Sequence, residues 1–270
     1  MKIETVTLSN GVEMPVIGLG VYKSGEQTYD AVRRALELGY RHIDTAAFYG
    51  NEADVGRAVR DSGIPREEIF VTTKLWNDDQ RAGAQQAAFE KSLQNLDLGY
   101  IDLYLVHWPV PGKYTETWKY MQSFYDTGKV RAIGVSNFLA HHLEDIFLLG
   151  GVTPMVDQFE CHPACARPAL RGYCRSRSMV PVAWSPLARG RYFDDERIRE
   201  IAERHKKTPA QVILRWDYQH GVVTIPKTVN PERMAENADI FDFSLTDDEM
   251  ALLDWMDKND MHGDPDNFDF

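Results

Sequence analysis

No stretch of about 18 apolar residues occurs in this sequence, and the opening Met1 to Leu8 holds no apolar signal core, so neither a membrane span nor export is expected. Positive charge is scarce. Thirty Lys and Arg stand against 41 Asp and Glu, a formal net charge of −11, which argues against nucleic acid or an anionic membrane as a partner. Any phosphate the protein binds must therefore meet a local basic site. Cysteine is rare as well: Cys161, Cys165 and Cys174 are all there is, an odd count that fits a reducing, cytoplasmic compartment. Their C-x3-C-x8-C spacing lacks the C-x2-C pairs usual in zinc sites, even with His162 adjacent, so no metal is expected. A Pro/Gly/Ser-rich linker is missing, which leaves a single domain over 1–270, and no heptad pattern calls for more than a monomer. The dinucleotide fingerprint G-x-G-x-x-G is missing too. Its nearest candidate, Gly18-Leu19-Gly20, continues Val21, Tyr22, Lys23 and fails at the third glycine.

What the sequence does have is alternation. Of its 270 residues 43% are hydrophobic and 26% charged, ordinary values for a globular chain able to bury one substantial core. The opening TVTLSNGVEMPV reads as a hairpin turning at Asn10-Gly11. Short β-rich apolar runs follow at 15–19, 40–43, 69–73, 101–106, 130–135, 155–159, 180–184 and 222–225. Between and after them, helical periodicity covers 27–39, 51–62, 84–97, 115–127, 139–149, 166–177, 195–219 and 231–239. Gly39, Gly128 and Gly221 stand where helices would stop, and Asn230-Pro231 offers an N-cap followed by a first-turn proline. Eight strand-helix repeats predict a parallel sheet closed into a (β/α)8 barrel, with the hairpin as an N-terminal plug.

In such a barrel the carboxyl ends of the strands build the active site. The second run leads into Asp44, the third into Lys74 and the fourth into His107, so three successive strands deliver ionisable side chains to one rim. Tyr49 follows Asp44 in the loop DTAAFYGNE and can fold back over the mouth. A free phenol, with a pKa near about 10, is a poor acid at neutral pH, and an adjacent ammonium favours its phenolate and strengthens it as a donor. Lys74 is expected to supply that charge, Asp44 to hold Lys74 protonated, and His107 to hydrogen-bond a carbonyl oxygen while Tyr49 delivers a proton. No side chain supplies hydride, which must come from a cofactor.

GYRHIDTA-x2-YGNE at 39–52, TTKLW at 72–76, LYLVHWP at 103–109 and IGVSNF at 133–138 resemble the aldo-keto reductases, closest to the prokaryotic-type 2,5-diketo-gluconate reductase and prostaglandin F synthase-like members. The resemblance continues in QFECHP at 158–163, WSPL at 184–187, TPAQVILRW at 208–216 and IPKTVNPERMAEN at 225–237. It implies NADPH-dependent reduction of aldehydes and ketones, with Asp44, Tyr49, Lys74 and His107 as the catalytic group. It further implies that Ser136, Asn137 and Gln158 bind the nicotinamide carboxamide, that Trp184 stacks on the ring, and that Ser185 and Leu187 add contacts. Lys227, Thr228 and Arg233 would hold the 2′-phosphate, with Glu236 and Asn237 at the adenine.

Tyr22, Phe48, Trp76 and Trp108, with His107, resemble the family's substrate pocket. The short loop from Pro109 to Tyr114 implies an open pocket for small carbonyl compounds, partly covered by the tail His262 to Phe270. Asp157 stands where many relatives have Asn and is given no role. Two other readings compete: a Schiff-base aldolase acting through Lys74, and a non-catalytic NADPH-binding redox sensor.

Overall fold

The computed structural model describes residues 3–270. Strands β1 (Thr5–Thr7) and β2 (Glu13–Pro15) form the expected antiparallel hairpin, Thr7 opposite Glu13, turning through Gly11 at φ +86°. Leu8 and Met14 are buried beneath it, and Asn10 Nδ2 donates to the Arg131 carbonyl at 2.8 Å. The hairpin thus packs on the amino-terminal ends of the strands that follow, plugging the end of the barrel opposite the site.

Eight parallel strands come next: β3 (Leu19–Gly20), β4 (His42–Asp44), β5 (Phe70–Leu75), β6 (Ile101–Val106), β7 (Val130–Ser136), β8 (Val156–Glu160), β9 (Val180–Trp184) and β10 (Val223–Thr224). They pair in chain order. The ring closes where β3 meets β10, through parallel bridges of Ile17 with Thr224 and Gly20 with Lys227. Gly18 N donates to Thr224 O at 2.9 Å, and Thr224 N to Val16 O at 3.0 Å.

The same seam explains Gly18 and Gly20. A Cβ on Gly20 would lie 2.9 Å from the Ile225 carbonyl oxygen, and one on Gly18 would lie 2.8 Å from the His42 ring. These glycines serve close approach of backbone to its neighbours. The strand expected at 15–19 begins later, because Pro15 is spent in the hairpin.

The helices are α1 (Thr28–Glu37), α2 (Glu52–Asp61), α3 (Asn77–Ala82), α4 (Gln85–Leu96), α5 (Tyr114–Asp126), α6 (Ala140–Leu149), α7 (Pro168–Ser176), α8 (Glu196–His205), α9 (Pro209–Gln219), α10 (Pro231–Ala238) and α11 (Asp247–Asp254). Both α3 and α11 were outside the sequence expectation. The segment expected at 195–219 is two helices: Lys206 takes φ +55°, and Thr208 caps α9 ahead of Pro209, its hydroxyl accepting from Gln211 N at 3.2 Å.

Strands β5, β6 and β8 are buried along their whole length, as a parallel sheet covered by helices requires. Trp118, Trp216, Tyr40 and Tyr104 are fully buried, each burial of a large apolar side chain stabilising by roughly 1.5–3 kcal/mol. Among the described residues no helix is long and apolar enough to cross a membrane.

Candidate active site

Asp44 ends β4, Lys74 is the penultimate residue of β5, and His107 follows β6 directly, so neighbouring parallel strands bring the three side chains to one rim. Lys74 is wholly buried. Its Nζ donates to Asp44 Oδ1 at 2.5 Å and to the Thr45 carbonyl at 2.9 Å. Burial pushes the lysine's pKa down while Asp44 pulls it back. Gln158 Nε2 donates to the other oxygen of Asp44 at 2.8 Å, so that carboxylate is engaged on both sides. An amine sealed behind the cavity wall and held by a carboxylate is not an exposed nucleophile, which opposes the aldolase reading of Lys74.

A short 3-10 turn, Ala47–Tyr49, lays the Tyr49 ring over this pair, its centroid 5.2 Å from Lys74 Nζ and 5.9 Å from that of the His107 ring. The sequence led us to expect Lys74 to draw Tyr49 towards phenolate. Burial instead pushes the phenol well above its ordinary range, helped by Asp44 and Tyr22, so the resting side chain is the protonated phenol. His107 goes the other way: burial, then Lys74, drive its pKa well down, so it is a neutral imidazole.

Asp44, Tyr49 and His107 line a cavity of about 1070 Å³ that also takes in Ser136, Asn137, Gln158, Trp184, Ser185, Leu187 and Lys227. Trp184 Nε1 donates to Asn137 Oδ1 at 2.8 Å, Asn137 Nδ2 donates to the His107 carbonyl at 3.0 Å, and Ser136 Oγ donates to the Gln158 carbonyl at 2.8 Å. The Gln158 side-chain oxygen makes no hydrogen bond among the described residues and remains available as an acceptor.

After β9 three non-glycine residues, Ser185, Ala188 and Arg189, take positive φ of 52°, 47° and 57°. Strain of this kind concentrates where a loop is shaped for a ligand. Lys23 and Arg189 also line the cavity, so with Lys227 it meets three basic side chains in an otherwise acidic protein. The sequence reading missed Lys23 and Arg189; the signal available was a basic residue in each of two strand-end loops.

The cavity does not reach every residue named for the cofactor. Thr228, Arg233, Glu236 and Asn237 lie beyond it, along or just before α10. Thr228 Oγ1 accepts from Asn230 N at 3.1 Å, and Glu236 accepts the Thr208 hydroxyl at 2.7 Å. Neither Lys227 nor Arg233 has an ion-pair partner among the described residues, and both stand beside the capped N-terminus of α10. Unpaired cations in the lining, a free amide acceptor and an aromatic face fit a phosphorylated nicotinamide cofactor.

The aromatic side chains named for the substrate stand together at one side of the cavity. Phe48 stacks on Trp76 at 3.9 Å, Tyr22 lies 4.9 Å from Tyr49, and Trp76 meets His107 edge-on at 5.0 Å, all between ring centroids. The tail closes over it: Phe268 and Phe270 both lie 5.1 Å from Trp108, which is buried as a result.

Residues 16–258 match the Aldo/keto reductase family. The chain is 51% identical over 262 residues to a glyoxal reductase from Bacillus subtilis, covering 96% of this chain and 95% of that protein. It is 50% identical to the 9,11-endoperoxide prostaglandin H2 reductase of Trypanosoma cruzi, with 97% and 95% covered. Its fold overlays that of a Gox0644 mutant crystallised in complex with NADPH with a TM-score of 0.95, at 44% identity and with both chains fully covered. The ionisable strand ends, the cavity beside them and these matches over nearly the whole length agree: the chain belongs to the aldo/keto reductase family and is an oxidoreductase.

Proposed function

We propose that this protein reduces small carbonyl compounds to alcohols in the cytoplasm, glyoxal- and methylglyoxal-like dicarbonyls first among them, with diketo sugar acids as further candidates. The observation that carries the reading is a protonated phenol laid over a buried Asp44–Lys74 pair beside a cavity lined by basic side chains. Relatives named glyoxal reductase and methylglyoxal reductase support the choice of substrate class.

NADPH is the cofactor and supplies the hydride when bound. Ser136, Asn137 and Gln158 would bind its carboxamide, and Trp184 would back the ring. Ser185 and Leu187, with Lys23 and Arg189, would line the path of the bridging phosphates. Lys227, Thr228 and Arg233 would hold the 2′-phosphate, and Glu236 and Asn237 the adenine. The substrate would sit among Tyr22, Phe48, Trp76 and Trp108. Neutral His107 orients the carbonyl by a hydrogen bond, and Tyr49 gives its proton to the carbonyl oxygen as negative charge develops there. Lys74 stabilises the phenolate left behind, and Asp44 keeps Lys74 charged.

Loss of NADPH absorbance with glyoxal, methylglyoxal, a diketo sugar acid and a quinone tests the reading. Tyr49→Phe should retain NADPH binding and lose turnover by a factor on the order of 100 or more. Near-normal turnover in that variant would remove Tyr49 as donor.

A further inference from the structure

The segment from Asp260 to Phe270 contains no helix or strand, yet polar contacts fix it to the end of β8 and to the segments that follow β5, β7 and β9. Asp260 accepts from Arg191 Nη1 at 3.0 Å and from the Tyr192 hydroxyl, beyond β9. His262 donates its main-chain N–H to Glu160 Oε2 at 2.6 Å and pairs through Nδ1 with Glu160 Oε1, at the end of β8. Asp266 Oδ1 lies 2.9 Å from His141 Nε2 and 3.3 Å from His142 Nε2, on α6 beyond β7. The Phe270 main-chain oxygen accepts from Asn77 Nδ2 at 3.0 Å and from Arg81 Nη2 at 2.7 Å, beyond β5.

Between these anchors the strap becomes a wall of the cavity. Gly263 lies so close to Trp108 that a Cβ there would come within 2.7 Å of the indole. Farther on, the Phe270 ring is nearly parallel to Trp76, with centroids 6.2 Å apart and 10° between planes.

Two of the anchors are built rather than incidental. Glu160 is 2% exposed, and its carboxylate also faces buried His162 at 3.4 Å, so a buried charge is committed to the strap. It stands two residues beyond Gln158 and opposite Trp184 in the sheet, which ties the strap's position to the strands on the nicotinamide side. At the other anchor, Leu139 N donates to His142 Nδ1 at 3.1 Å. In neutral His142 this leaves Nε2 as the N–H, aimed at Asp266.

We propose that Glu160 and the His141–His142 pair are positioning residues that hold this strap across the substrate compartment and so limit the size of carbonyl compound admitted. The claim rests on the reductase reading above. None of the anchors touches Asp44, Lys74 or Tyr49, so releasing the strap widens the compartment and leaves the acid-base group in place.

The test uses full-length Glu160→Gln and Asp266→Ala, the second an exposed site that keeps the question answerable if the first does not fold. Two measurements are made: amide hydrogen exchange across 259–270 without cofactor, and kcat/KM with NADPH for methylglyoxal and for phenanthrenequinone. Exchange should accelerate, and the quinone-to-methylglyoxal ratio should rise about tenfold, the scale on which pocket walls discriminate size, while the NADPH Kd stays unchanged. Unaltered exchange in the variants overturns the anchoring. An unaltered ratio in the variants, with a wild type that reduces both carbonyls, overturns the size limit alone, and an equal loss on both substrates with weakened NADPH binding marks a merely structural role. A wild type that reduces neither carbonyl overturns the reductase reading and the size limit with it, while exchange still decides the anchors.

Discussion

Asp157 sits on β8 beside Gln158 with no exposed surface, and neither carboxyl oxygen makes a hydrogen bond of ordinary geometry among the described residues. Burial raises its pKa well above the usual carboxylate range; the Phe138 amide and the Arg167 guanidinium pull weakly the other way. A raised carboxyl pKa means that the native fold holds a proton that the unfolded chain releases near pH 3.9. Below that pH both states are protonated and nothing is lost; above it native stability declines by about 1.4 kcal/mol per pH unit. Asp157→Asn keeps the shape and removes the ionisation, at a cost of about 1 kcal/mol for a buried amide without good partners. Against that small fixed cost, each pH unit of the slope is worth about 2–3 °C in Tm for a chain of this length. Thermal and urea unfolding at pH 4, 5, 6, 7 and 8 reads it directly. The variant should be slightly less stable than the wild type at pH 4 and should overtake it as pH rises. A stability difference that does not change with pH would refute the reasoning, because it would show Asp157 ionised in the fold.

Asp44→Asn leaves Lys74 buried beside a neutral amide and should cost about 3–5 kcal/mol in urea unfolding at pH 7, with reductase turnover lost as well; a loss under about 1 kcal/mol would mean the pair is more hydrated than its geometry shows. His42 is buried, with its pKa pushed down to about 4, chiefly by burial. The unfolded chain takes up a proton near pH 6.5 that the fold refuses, so this group's share of stability is intact above that pH and falls by about 1.4 kcal/mol per unit down to about pH 4. His42→Gln should flatten that part of the acid-unfolding curve, and an unchanged slope would assign it elsewhere. Arg233→Ala should raise the KM for NADPH about tenfold while leaving that for NADH in place, and equal shifts for both cofactors would mean the arginine does not read the 2′-phosphate.

The barrel was legible because its strands are short, apolar and evenly interrupted, and because a parallel strand buried on both faces leaves no ambiguity about its environment. Ile101–Val106 and Val180–Trp184 fall where the sequence placed them. What escaped were elements whose signals are tertiary. The α3 helix spans only Asn77–Ala82 and has no side-chain cap, and α11 offers little apolar periodicity of its own beyond the Thr246 cap. The break after His205 was written in Thr208-Pro209, yet the periodicity on either side ran together. In the site, strand-end position identified Asp44, Lys74 and His107, because topology alone brings such residues to one rim. The protonation state of Tyr49 was not readable, since it depends on how completely its neighbours exclude water, and that is a property of packing. Nor were the Glu160 and Asp266 anchors, each of which joins residues far apart in the chain.

The protonation states at the rim all follow from one physical condition. Removal from water disfavours every charge, so Tyr49 stays a phenol, His107 stays an imidazole, and Lys74 keeps its charge through the bond to Asp44. The resting site therefore holds one net-neutral ion pair and one acid in position to give its proton to a carbonyl. On the proposed mechanism, as charge passes to Tyr49, the low local dielectric that makes the phenolate unfavourable at rest would also strengthen its attraction to the ammonium nearby. An equally buried tyrosine without the lysine would be inert, and a water-exposed lysine would be too screened to help. Gln158 extends the arrangement: one face of Asp44 is committed to Lys74, the other to an amide whose remaining oxygen faces the cofactor cavity. On the proposed mechanism the same carboxylate sets orientation at the cofactor and charge at the proton donor, so Asp44→Asn is expected to impair turnover beyond what its loss of stability explains.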